Sequence, residues 1–372
     1  MSPVRWQRFT SRCIAAILRA GARLGVWVRS RPALAPWVFG PAASDDERYR
    51  RFNVWCFARF DEQERMLADR VRMDFYHAAI SRHVQPGDRV LDLGTGTGIL
   101  AAMASRRGAA RVIALDHSDI LKQARALAAD NGVRNVDFVA SHSREFHTDE
   151  KLDVILQEQM GDFLFDESMV ANVVDLRDRV LKPGGTILPA RFEFFCEPVQ
   201  LREGRRVPFI WELVVHGYRY AALAKQRPAD PSYYRHALSD PAPIERFLAT
   251  PEPMLTLDLN TVIEDDLPCD LSSERVVAEA GHLDGFAVFF RAHVDDDLVL
   301  STDPLDPARA AHWGVRILRV DDCNVARGDT IHFNLRVGRW SDPDTWRWEH
   351  QVTPAAVESA GAASRGAQRP EI

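Results

Sequence analysis

The chain has 372 residues, a formal net charge of −6, and 46 % hydrophobic and 27 % charged residues, the balance of a soluble globular protein with room for two domains. The negative charge excludes a protein held on nucleic acid by a general positive surplus. Its five cysteines, Cys13, Cys56, Cys196, Cys269 and Cys323, are odd in number and form no CxxC pair, which excludes a zinc or disulfide framework and points to a reducing, cytoplasmic compartment.

Residues 1–44 carry seven arginines and no acid. Trp6, Phe9, Cys13, Ile14, Ile17, Leu18 and Leu24 recur at helical spacing, so a basic amphipathic helix is expected there. Arg19 and Arg23 interrupt its apolar run far short of the roughly twenty residues a membrane span needs. Packing on the body of the protein is favoured over membrane-surface contact through residues 1–31. Residues 45–189 read as a helical lead-in and an open α/β domain. Phe57, Met66, Leu67, Val71, Phe75 and Ile80 form a broken apolar stripe that runs towards His83. Strands are expected at 89–93, 112–116, 136–140, 153–156 and 186–188, with helices at 99–107, 119–131 and 168–181. Strands alternating with helices at this spacing give a parallel sheet.

After Pro189 helical periodicity fades. Residues 190–353 read as a second, mainly antiparallel β-domain, a barrel or sandwich, with strand-like runs at 192–195, 254–260, 285–294 and 330–337. An aromatic-rich, then proline-punctuated insertion covers about 211–243. Residues 354–372 hold few bulky apolar side chains and read as a disordered tail.

The chemistry gathers at two turns. Asp92-Leu-Gly94-Thr-Gly96-Thr-Gly98 follows the first strand and opens a helix; glycines there let the backbone approach a ligand closely. A dinucleotide would use Gly96, Gly98 and Ala101 as a loose G-x-G-x-x-A, with its pyrophosphate at the helix N-terminus. S-adenosylmethionine (SAM) has an ammonium, a carboxylate and a sulfonium instead of phosphates, and suits an acid just ahead of the glycines. Asp92 is that acid, and Asp116, closing the next strand, is placed for ribose hydroxyls under either reading. After the fourth strand comes Gln157–Met169, QEQMGDFLFDESM, with Glu158 and Glu167 nine residues apart. From Asp149 to Glu167 there are seven acids and one base, Lys151. Two fixed carboxylates suit the two edges of a planar guanidinium. The three features together favour SAM over a dinucleotide, and no metal is predicted.

From about Asn53 to Val352 the chain resembles the protein arginine methyltransferase family. VLDLGTGTGIL (90–100) resembles its SAM motif, QEQMGDFLFDESM its double-glutamate loop, and Ala311-His312-Trp313, after Ser301-Thr-Asp-Pro304, its Thr-His-Trp loop. The resemblance implies a Rossmann-like SAM-binding domain, then a β-barrel domain with a helical dimerisation arm at about 211–243, and hence a homodimer. It implies a cofactor site of Arg72 on the SAM carboxylate, Asp92, Gly94, Gly96, Gly98 and Asp116 around the rest, and Ser143, Arg144 and Glu145 bordering the adenine. Phe57, Met160 and Trp313 would lie against the substrate. The implied reaction moves a methyl group from SAM to an arginine guanidino nitrogen, in a protein, a peptide or the free amino acid. Glu158 and Glu167 would hold and polarise the guanidinium, and His312, paired with Asp69, would take the proton.

The chain departs from the family pattern where the substrate would sit. Asn53, Val54 and Phe57 fall where the family has aromatics including two tyrosines; Gln63 replaces a histidine, Gln159 a tryptophan, Asp162 a tyrosine and Ala311 a threonine. These changes leave two alternatives open: methylation of a different small-molecule or peptide amine, and a non-catalytic dimeric scaffold of the same fold.

Overall fold

In the computed structural model, which describes residues 56–165, 167–238 and 240–355, the lead-in is two helices rather than one. Helix α1 (Phe60–Ala68) ends at Asp69, and α2 (Arg70–His83) begins directly after it. Asp69 has extended backbone and its carboxylate accepts from Arg72 N at 3.1 Å. An aspartate with that geometry caps a new helix instead of continuing the old one. The basic N-terminal helix, Asn53 and Val54, and the tail beyond Ala355 lie outside the described residues. Among the described residues no helix is long and apolar enough to cross a membrane.

Strands β1 (Arg89–Leu93), β2 (Arg111–Asp116), β3 (Val136–Ala140), β4 (Leu152–Gln157) and β5 (Leu181–Leu188) form one sheet in the order β3-β2-β1-β4-β5, every pair parallel. The connections are α3 (Ile99–Arg107), α4 (Leu121–Asp130) and α5 (Met169–Val180), but β3 reaches β4 through a single 3-10 turn at Ser143–Glu145. In β1 and β2 every residue after the first is buried, as a sheet packed on both faces requires. The strand order reverses between β1 and β4. A crevice therefore opens beyond their C-terminal ends, where open α/β sheets bind ligands. Asp92 belongs to one edge of that crevice and Glu158 follows the other.

The second domain is antiparallel throughout. Arg191–Leu201 pairs with Gly281–His293, which pairs with Val315–Val325, and shorter strands complete a seven-stranded sheet. Asp270–Val276, Thr330–Arg336 and Arg347–Thr353 form a second sheet of three. The two sheets wrap one core, in which Phe286 stacks on Phe333 with centroids 4.0 Å apart. This is the antiparallel β-domain expected. The insertion at 211–243 differs in detail: its helical turns are 3-10, at Ile210–Glu212, Ala221–Gln226 and Pro231–Tyr234, around a hairpin of Val214–Val215 with Tyr218–Arg219. Gly217, Pro228 and Pro231 punctuate it too often for an α-helix to grow.

The acidic loop joins the domains. Phe165 lies 4.3 Å from Trp340 and 5.6 Å from Phe194, and Phe163 lies 5.3 Å from Trp346, centroid to centroid. The apolar Phe163-Leu164-Phe165 segment between the two glutamates is thus an aromatic anchor in the second domain.

Candidate active site

The glycine turn is held by two aspartates. Asp92 is almost wholly buried, and one of its carboxylate oxygens accepts from Thr95 Oγ1 at 2.5 Å and from Ala101 N at 3.0 Å. It therefore fixes the turn to the first turn of α3 from beneath. Asp116 accepts from Gly96 N at 3.0 Å and from Ser118 N at 2.8 Å. Gly96 has φ 53°, a left-handed backbone that favours glycine, and a Cβ there would meet Gln63 Oε1 at 3.0 Å.

Burial pushes the Asp92 carboxyl up to about 6, with the Thr95 and Ala101 hydrogen bonds holding it back. A folded value above the ordinary 3.8 means the native state keeps this proton where the unfolded chain has lost it. Ionised Asp92 then costs the ligand-free protein at most about 3 kcal/mol above pH 6, and the cost vanishes as pH falls towards the unfolded value. Asp92→Asn is expected to raise the ligand-free melting temperature at pH 7.5 and to lose most of that advantage near pH 4.5. An equal difference at both pH values contradicts this account.

Arg72, on α2, is 5 % exposed, and its Nη2 lies 3.0 Å from Glu158 Oε2. Its Nη1 donates to Met66 O at 3.1 Å, and Nε is buried with no partner. Burial opposes the charge on Arg72, and the Glu158 carboxylate overrides that, raising the guanidinium above its ordinary value. The residue expected to bind the cofactor carboxylate and one glutamate of the expected guanidinium clamp are thus ion-paired with each other.

His312 follows a three-point seam. Its backbone N–H donates to Asp69 Oδ2 at 2.7 Å, Trp313 Nε1 donates to Met160 O at 2.5 Å, and Gly314 N donates to Asp162 Oδ1 at 2.8 Å. Asp69 and His312 do meet, but through the main chain; the ring Nδ1 is buried without a hydrogen bond. Burial pushes the imidazole below its ordinary value while Glu158 pulls it back up, so it is neutral at pH 7 and able to accept a proton.

The crevice is lined by Phe57, Arg72, Gly94, Gly96, Asp116, Ser143, Arg144, Glu158 and Glu167 among the predicted residues. Asp69, Asp92, Gly98 and His312 stand behind that lining. Met160 and Trp313, expected against the substrate, are 2 % exposed and bond to each other; they fasten the loops instead. Glu145 faces a separate groove with Arg111 and His147. Sequence reasoning did not single out Ser118 and Asn172, which also line the crevice, and named Gln159, likewise in the lining, only as a departure from the family pattern. Ser118 Oγ and Ser143 Oγ, like Arg72 Nε, are buried without partners. Unpaired hydroxyls and a spare guanidinium N–H in one crevice fit a ligand with a carboxylate at one end and a nucleoside at the other. Backbone strain sits at the loop as well: Leu164 has φ 69° and Ser168 φ 57°, each costing on the order of 1–3 kcal/mol in a non-glycine residue.

Comparison with known proteins agrees with this geometry. A family model described as a methyltransferase domain matches residues 90–185. Protein arginine N-methyltransferase PRMT10 of Oryza sativa subsp. japonica is 31 % identical over 333 residues, covering 81 % of this chain and 86 % of the relative. Protein arginine N-methyltransferase 6 of Danio rerio is 32 % identical over 294 residues, covering 76 % and 82 %. The crystal structure of Arabidopsis thaliana protein arginine methyltransferase 10, described as uniquely open, superposes with a TM-score of 0.67 at 25 % identity, covering 82 % of this chain and 96 % of that one. The Trypanosoma brucei PRMT1 enzyme–prozyme complex with AdoHcy shares the fold, with a TM-score of 0.65 over 75 % of this chain and 88 % of that one, at 24 % identity.

Proposed function

The chain belongs to the protein arginine N-methyltransferase family, and on that premise we propose that it methylates an arginine guanidino nitrogen with SAM as donor, through the residues of the crevice between β1 and β4. The observation that carries the acceptor class is the contact at Glu158, which already engages a guanidinium, that of Arg72 at 3.0 Å. A carboxylate poised this way accepts a planar cation by charge-assisted hydrogen bonds.

Bound SAM supplies an electrophilic methyl group on its sulfonium. The chain's own residues do the rest. Arg72 meets the cofactor carboxylate, Asp116 the ribose, and Ser118 and Ser143 offer hydroxyls to the nucleoside end. Arg144 borders the same end. Glu158 and Glu167 hold the acceptor guanidinium by two edges, which orients one terminal nitrogen and draws positive charge away from it. Asp69 holds the main chain of His312, and the neutral imidazole takes the proton that the methylated nitrogen releases. Phe57 lines the acceptor side.

A methyl-transfer assay with SAM against an arginine-rich peptide, free arginine and small amines tests this reading. Methylation of an arginine-bearing acceptor is expected; methylation of amines alone, or none, contradicts it.

The protein works in the cytoplasm as a homodimer, with the 211–243 insertion as its arm. Val207, Val214 and Tyr218 are exposed by 56, 64 and 75 %, apolar side chains on and beside the insertion that a second copy would cover. Replacing Val214 and Tyr218 with aspartate is expected to shift the sedimentation coefficient from dimer to monomer. A wild-type monomer at micromolar concentration overturns the dimer.

A further inference from the structure

Resting on the methyl-transfer reading above, we propose that Asp162 is a positioning residue, one that holds His312 in register with Glu158. Asp162 lies four residues after Glu158 and accepts from Gly314 N, two residues after His312, at 2.8 Å. Its other oxygen is ion-paired with Arg316. Between these points Met160 O accepts from Trp313 Nε1. The two loops are therefore tied by two adjacent rungs, one at the tryptophan and one at the residue after it. The acidic loop carries Glu158 and Glu167, and the other loop carries His312.

The ties transmit position because the loop is stiff. Leu164 N donates to Gly161 O at 2.9 Å, closing a tight turn, and Phe163 is anchored on Trp346. Arg316 adds a second constraint: its Nε is buried without a partner, and its guanidinium lies 5.9 Å from the Phe163 ring centroid, so Asp162 orients it. Without the Asp162 carboxylate, Gly314 N loses its acceptor and Arg316 its counter-charge. The His312 loop then keeps its hydrogen bonds to Asp69 and Met160 and those that Arg65 and Arg309 donate to the His312 and Trp313 carbonyls, but loses its tie at Gly314. A base displaced by about an ångström loses on the order of a hundredfold in rate.

The test is a double-mutant cycle with the arginine-rich peptide as acceptor. Asp162→Ala is expected to lower kcat about 10- to 100-fold while the AdoHcy dissociation constant stays within about twofold. Asp162→Asn, which keeps an acceptor for Gly314 N, is expected to recover most of the loss. In a His312→Gln background Asp162→Ala is expected to have no further effect on kcat, since both act through one group. The acid limb of the kcat–pH profile, set by His312 among Glu158, Asp69, Arg72, Glu62 and Arg65, is expected to move up as the imidazole leaves its buried seat. If Asp162→Ala does not fold, Arg316→Met carries the same cycle with a smaller effect of the same sign. A full Asp162 effect that persists in the His312→Gln background, or an unmoved acid limb, makes Asp162 merely structural and overturns the proposal. Failure of wild type to methylate any arginine-bearing acceptor would instead remove the proposed function.

Discussion

Replacing Glu158 with glutamine is expected to lower kcat about 10²- to 10³-fold, the usual loss when one preorganised charge-stabilising group is removed. Glutamine keeps the shape and one acceptor but loses the charge that holds a guanidinium and draws its positive charge away from the reacting nitrogen. The same substitution has a second, opposite effect at the cofactor. Arg72 is buried and Glu158 is the carboxylate it pairs with. Glu158→Gln leaves that cation uncompensated, so the ligand-free protein loses stability, by an amount approaching the roughly 3–5 kcal/mol cost of breaking a buried pair. A cofactor carboxylate can restore the pairing. AdoHcy should therefore raise the melting temperature of Glu158→Gln by more than it raises that of wild type. Loss of turnover with stronger stabilisation by AdoHcy separates a clamp residue from one that only supports the fold. Unchanged turnover removes Glu158 from the mechanism.

Removing the cation from the other side gives the mirror result. Arg72→Ala deletes the guanidinium that faces the glycine turn and strands Glu158 in a largely buried position. Charge-assisted hydrogen bonds are worth about 1.5–3 kcal/mol each, so AdoHcy binding measured by calorimetry is expected to weaken on the order of 10- to 100-fold. Arg72→Lys keeps the charge without the planar fork and should recover only part of this. An AdoHcy dissociation constant unchanged in Arg72→Ala contradicts the assignment of Arg72 to the cofactor carboxylate.

The parallel half of the fold was legible because its signals are local. Helix α3 was expected at 99–107 and spans Ile99–Arg107, and β3 matches its expected bounds. The lead-in misled because its stripe of apolar residues runs on through Asp69, where the carboxylate caps the new helix at Arg72 N and also holds His312 N. In the second domain, Phe192–Phe195 proved to be the start of an eleven-residue strand, Arg191–Leu201. Val315–Val325 was not anticipated: Arg316, Arg319, Asp321 and Asp322 break its alternation, and they are accommodated by ion pairs or aromatic faces remote in sequence. The candidate site was half legible. Asp92 and Asp116 stand where the glycine turn placed them, whereas the Arg72–Glu158 pair and the seam through Met160 and Asp162 are contacts between segments far apart in sequence. Such contacts leave no periodic trace. Met160, Trp313 and Asp162 look like substrate-facing positions in the sequence, yet all three serve as fastenings between the loops.

The central claim is that the acidic loop presents two carboxylates to an arginine guanidinium beside SAM. Mass spectrometry of the acid-hydrolysed acceptor, after incubation with SAM and either wild type or Glu158→Gln, tests it most directly. The prediction is methylarginine, with the new methyl group on a guanidino nitrogen, from wild type and almost none from Glu158→Gln. Methyl groups found only on amines, or equal methylarginine from both proteins, would contradict it.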